Sequence, residues 1–148
     1  MADLKASAVL NYGDGVFDRI IMNKKTAADD LQIGDFLMQD NAGGVEKVSA
    51  ATDDSNFIGV CGTLSKDSDG PSEIIVYTKC VVEVPAESAQ YYMGAGLKFN
   101  TSGTVEADGN ANTICWVYEK DTGSGATSVK AVVDVLKLGK GETFPVNA

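Results

Sequence analysis

Residues 34–63 read GDFLMQDNAGGVEKVSAATDDSNFIGVCGT, and residues 94–120 read GAGLKFNTSGTVEADGNANTICWVYEK. Laid over one another, the two stretches match in order. Leu37 falls on Leu97, Gly43 on Gly103, and Val45 and Glu46 on Val105 and Glu106, all at an offset of sixty. Gly59 and Val60 then fall on Trp116 and Val117 at an offset of fifty-seven. Downstream, SEIIVYTKCVVEVP (72–85) matches TSVKAVVDVLKL (127–138), with Val81–Val84 on Val132–Val135 at fifty-one. The repeated unit is a Gly turn feeding a strand, a hairpin, a return strand, a variable loop and a long strand. Each copy has one apolar face that it cannot bury alone, so the two pack into one β-sandwich or small β-barrel.

Outward from the repeat, apolar or alternating runs predict strands over 35–39, 44–48, 56–63, 72–85, 97–100, 103–106, 113–119 and 127–138. Between them lie clusters of Gly, Asn, Asp and Ser, which reach positive φ cheaply or bond back to their own backbone. The two long runs alternate. Ile74, Val76, Thr78, Cys80, Val82 and Val84 share one side, with Ile75, Tyr77, Lys79, Val81 and Glu83 on the other. Each reads as a long strand that bends midway, buried on one face and partly on the other. Helix is confined to at most two short turns, at 26–31 and at 86–93 after Pro85. The expectation is an all-β fold of two repeats (about 33–85 and 94–138) in one domain over 18–148, preceded by an extended segment over 1–17.

A chain of 148 residues with 44% hydrophobic and 22% charged residues suits a single core-forming domain. It contains no His, which removes the usual neutral-pH base and the commonest zinc ligand. Twelve basic residues against twenty-one acidic ones give a net charge of -9, so nucleic acid and anionic membrane surfaces repel it. Cys61, Cys80 and Cys115 are widely spaced between apolar neighbours and read as buried thiols in a reducing compartment. No basic segment followed by a long apolar one opens the chain, and no run is long enough to span a bilayer. The expectation is a non-enzymatic protein without metal or cofactor, made in a cytoplasm.

The chemical motifs are weak. Asp67–Gly70 has calcium-loop spacing, but the residues after it lack the further oxygens and the bidentate Glu such a site needs. Tyr12–Gly15 reads as an Asp–Gly turn, and Met93–Gly96 lacks the strand-then-helix setting of a phosphate loop. The neighbouring carboxylates Asp29/Asp30 and Asp53/Asp54 point opposite ways on extended chain, the wrong geometry for a glycosidase pair. Trp116 and Tyr118 share a strand face; core or interface packing is the first reading and a sugar platform the second.

The Gly–x–x–Leu opening, the G-x-V hairpin, the Ala/Thr/Asp-rich turn, IGV and the long V-x-V strand, all in two copies, resemble the capsid decoration (cement) proteins of tailed bacteriophages. The resemblance covers about 33–138, and its strongest string is NFIGVCGT at 56–63. It implies a β-tulip or small β-barrel, a homo-oligomer with a trimer favoured, and the major capsid protein as partner. It also implies a place on the virion exterior and stabilisation of the head against packaged DNA. Family members commonly carry a capsid-bound amino-terminal arm. Leu4, Val9, Leu10, Tyr12, Val16 and Phe17 are the candidate capsid contacts here, although the same stretch also reads as an edge strand of its own domain or as a frayed end. The insertion over 65–70 and the scarcity of positive charge depart from the family pattern. The alternative function is a carbohydrate- or host-surface-binding module displayed on a virion.

Overall fold

The structure, a computed structural model, describes residues 4–10, 18–23, 31–39, 45–48, 57–62, 73–100, 102–107, 113–118 and 120–135. They form β1 (Ala8–Leu10), β2 (Asp18–Asn23), β3 (Phe36–Gln39), β4 (Val45–Lys47), β5 (Phe57–Cys61), β6 (Glu73–Ala89), β7 (Gly96–Asn100), β8 (Thr104–Ala107), β9 (Cys115–Val117) and β10 (Ala126–Asp134). The eight expected runs are β3 to β10. No α-helix occurs among the described residues. The helical turn expected over 86–93 is corrected: β6 continues through Ala89. Its backbone there is held by β8 at Ala86↔Val105 and by β10 at Ala89↔Ala126, so the sheet outcompetes a local turn. Of the turn expected over 26–31, only Leu31 lies among the described residues, and it is buried.

Strand β6 is the spine, and its pairings give the topology. Tyr77 pairs with Arg19 of β2 and Val60 of β5, Lys79 with Asp18 of β2 and Asp134 of β10, and Val82 with Val9 of β1 and Ala131 of β10. A strand has two edges. Therefore β1 and β2 share one edge of β6, while β5 and β10 share the other. Strand β8 joins the β1/β2 edge in parallel, and β8–β7–β9–β10 leads back to the opposite edge. The result is a closed small barrel of β6, β8, β7, β9 and β10. At its seam the Glu87 carboxylate accepts bonds from Ser102 Oγ (2.6 Å) and Thr104 Oγ1 (2.7 Å), and these hold its pKa below the ordinary carboxylate value.

The repeat is physical. The pairings β3–β4, β3–β5 and β5–β6 recur as β7–β8, β7–β9 and β9–β10. Phe36↔Val60 and Leu37↔Gly59 correspond to Gly96↔Trp116 and Leu97↔Cys115, and Val60↔Tyr77 corresponds to Trp116↔Val132. Equivalent residues are thus offset by sixty, then fifty-six, then fifty-five. The sequence match of Gly59 with Trp116 is therefore corrected, and so is that of Val81 with Val132. Val81 and Val132 lie directly across the β6–β10 ladder from each other. Alternating β-branched residues look alike at every second position, so their pattern cannot fix the register of a long strand.

A bulge corrects the face assignment too. Asp18 and Arg19 are adjacent on β2 but pair with Lys79 and Tyr77, leaving Thr78 as an extra residue on β6. The extra residue reverses the alternation. Ile74 and Val76 pack in a small cluster with Leu31, Leu37, Val45 and Cys61, while Cys80, Val82, Val84 and Ala86 enter the main core. That main core draws on both repeats: Phe36, Phe57 and Val60 from the first, Leu97, Cys115 and Val117 from the second. The Phe36 and Phe57 rings stack with centroids 5.5 Å apart. Cys61, Cys80 and Cys115 are buried, as expected, and none forms a disulfide.

Candidate interaction site

The six candidate contacts at the amino end separate. Leu4 is fully buried in the main core, and Val9 packs against that core. Leu10 ends β1, where it pairs with Val81. Tyr12, Val16 and Phe17 lie outside the described residues. The backbone explains the burial. Phe36 N–H donates to Leu4 O (3.0 Å), Ala6 N–H to Gly34 O (2.8 Å) and Ser7 N–H to Glu83 O (2.8 Å), after which β1 pairs with β6. Residues 4–10 therefore bridge β3 to the β1/β2 edge of β6, the edge-strand reading of this stretch. Leu4 belongs to the body and offers no surface to a partner in this arrangement.

Another surface was not singled out from the sequence. Ile33, Tyr92 and Met93, respectively 55%, 57% and 40% exposed, are the exposed large hydrophobics among the described residues. All three stand on the turns that lead into the two repeats. In the first, Asp35 N–H donates to Gln32 O (3.1 Å); in the second, Ala95 N–H donates to Tyr92 O (3.0 Å). Gly34 and Gly94 take φ of 99° and 81° at the third position, which a type II turn requires. Each turn is pinned to the return strand: Gly34 N–H donates to Cys61 O (2.9 Å) and Gly94 N–H to Val117 O (2.9 Å). The offset of sixty already aligned Ile33 with Met93, so an apolar residue at a matched turn tip was the available signal.

The second turn has extra anchors. Met93 N–H donates to Asp121 Oδ1 (2.8 Å), Tyr91 N–H to Thr122 Oγ1 (2.8 Å) and Thr122 N–H to Tyr91 O (2.8 Å). The Tyr91 hydroxyl donates to the Glu87 carbonyl, and burial raises its pKa above the ordinary phenol value, with the charges of Glu87 and Glu106 adding to the effect. Trp116 is buried and forms no exposed platform; Tyr118 is half-buried. Met93–Gly96 is a turn into β7, with no helix after it. The segments 12–15, 29–30, 53–54 and 67–70 lie outside the described residues, among which no cluster of acidic or Cys side chains is arranged to hold a metal.

Among solved structures, the head fiber gp8.5 N base in bacteriophage phi29 has a TM-score of 0.42 and 14% identity to this chain, over 80% of this chain and 96% of that one. A likeness this loose carries no argument about function. No family model matches the chain, and no curated protein matches it.

Proposed function

We propose that this chain is a structural protein of a tailed-phage virion that binds the outside of the head and stabilises it, acting through binding energy rather than chemistry. The observation that carries this reading is the paired display of exposed apolar side chains, Ile33 on one lead-in turn and Tyr92 with Met93 on its equivalent. Apolar side chains on rigid, hydrogen-bonded turns lose little conformational entropy on docking. Two such contacts on one rigid body bind a repetitive lattice more strongly than either alone. A ligand that binds only the assembled shell stabilises it by mass action. The two-copy sequence resemblance to decoration proteins supports the same reading, as does a net charge of -9, which suits a position away from the genome. The major capsid protein is the proposed partner and a homotrimer the proposed form. Val9, Leu10, Tyr12, Val16 and Phe17 remain proposed contacts in addition to the turns.

The test is direct. Purified protein is mixed with expanded, DNA-free heads of the phage that encodes it, and bound protein and head disruption temperature are measured. Saturable binding with a raised disruption temperature is expected. Failure to bind would sink the proposal.

A further inference from the structure

A cleft of about 200 Å³ opens on the surface where β6 and β10 meet the loop after β9. Its lining includes Tyr118, Lys120, Asp121, Thr122, Lys130 and Glu83. Tyr118 has a sugar platform as its second reading in the sequence; the others, from β6, β10 and the loop between β9 and β10, belong to no chemical motif there.

Three properties narrow the ligand. The first is charge. Two ammonium groups face two carboxylates, so the cleft offers strong donors and strong acceptors with no net charge. A phosphate or other dianion finds no surplus of positive charge here, and the chain's overall charge repels it further. The second is composition. The exposed lining is more apolar than polar, the Tyr118 ring and Val129 standing among hydroxyls and charged groups, which suits a ligand carrying both an apolar face and hydroxyls. The third is size. The volume falls below the roughly 300–1,000 Å³ of drug-sized pockets and leaves room for about one ring. An uncharged molecule with one apolar C–H face and a rim of hydroxyls, each able to donate and accept, meets all three conditions.

The site is also preformed. Tyr118 N–H donates to Lys130 O (2.9 Å) and Lys120 N–H to Tyr118 O (2.9 Å), while the Thr122–Tyr91 and Asp121–Met93 bonds hold the rest of the loop. Ser128, also in the lining, donates through Oγ to Glu83 Oε1 (3.0 Å), which fixes that carboxylate. Little ordering remains to be done on binding. From this geometry we infer that the cleft is a binding site for a single uncharged sugar ring, stacked on Tyr118 and bonded through its hydroxyls to Lys120, Lys130, Glu83 and Asp121. Ile33 is not among its lining residues.

Amide chemical-shift titration tests this. The intact protein is titrated with the methyl glycosides of glucose, galactose, mannose and N-acetylglucosamine, up to roughly 100 mM, the range a shallow one-ring site requires. Saturable shifts confined to residues 118–130 and Glu83 are expected with at least one glycoside, and none with inorganic phosphate. Tyr118→Ala and the exposed-site variant Lys120→Ala should each weaken binding about tenfold or more, the scale of one lost stacking or charged contact. Ile33→Asp should leave it unchanged. The inference is overturned if no glycoside gives saturable shifts, if phosphate competes for the same residues, or if both cleft variants keep native spectra and full affinity.

Discussion

Gly59 shows how a single residue carries the sheet. It sits in β5 with φ of 141°, beside a register shift that leaves Ile58 extra between Leu37↔Gly59 and Met38↔Phe57. A Cβ there would lie 2.4 Å from Tyr77 O and 2.8 Å from a Val76 methyl carbon, with the nearest obstacle a backbone atom that cannot swing away. Gly59→Ala should cost about 3 kcal/mol, combining strained φ with displaced backbone, read as a lowered urea midpoint at unchanged m. The thiols make the second residue-scale prediction. Burial pushes the Cys80 thiol from 9.0 to about 12 and raises Cys115 further, with Cys80 adding to the latter. The unfolded chain therefore releases these protons at lower pH than the folded one. Their contribution is fully present below pH 9 and is lost as pH rises towards 12, by on the order of 1 kcal/mol per pH unit for each thiol. Denaturation between pH 8 and 11 should show that decline, and Cys80→Ala should roughly halve it, Cys115 still contributing.

At the scale of elements, residues 4–10 and β6 decide the architecture. The second repeat closes through its own hairpin strand β8, which pairs with β6 at Ala86↔Val105. The first repeat has no such closure from β4, whose pairing among the described residues is with β3. The amino-terminal segment takes that place, bonding β3 on one side and β6 on the other while Leu4 fills the core. Leu4→Ala should cost about 3 kcal/mol, within the range for fully buried leucines. Removing residues 1–7 should cost more and expose the first repeat preferentially to hydrogen exchange. Unchanged stability of the truncated protein would show that this segment does not close the body. The bulge at Thr78 belongs to the same scale. It lets one strand of seventeen residues serve two clusters on opposite faces.

For the whole molecule, the question is what the body presents. Ile33→Asp with Met93→Asp should leave stability within about 0.5 kcal/mol, since exposed positions contribute little to folding. The same pair should abolish binding to expanded heads if the turns make the contact, as measured by co-sedimentation. Each single variant should weaken binding less than the pair, because linked contacts multiply. A double variant that binds normally would move the contact to Val9, Leu10, Tyr12, Val16 and Phe17.

The eight strands of the repeats, the all-β class and the buried cysteines were legible in the sequence, because alternation, turn chemistry and apolar flanks are properties of neighbouring residues. The repeat was legible too: its offset of sixty aligned Gly34 with Gly94, whose backbones adopt the same left-handed turn. What tertiary structure alone decided was long-range pairing. The register of β10 on β6, the parity change at Thr78 and the burial of Leu4 depend on which strands meet. Local pattern is indifferent to a shift of two residues or to an inserted one. The cleft is partly of the same kind: Tyr118 and Lys130 are neighbours on consecutive segments, but Glu83 joins them only through the β6–β10 pairing.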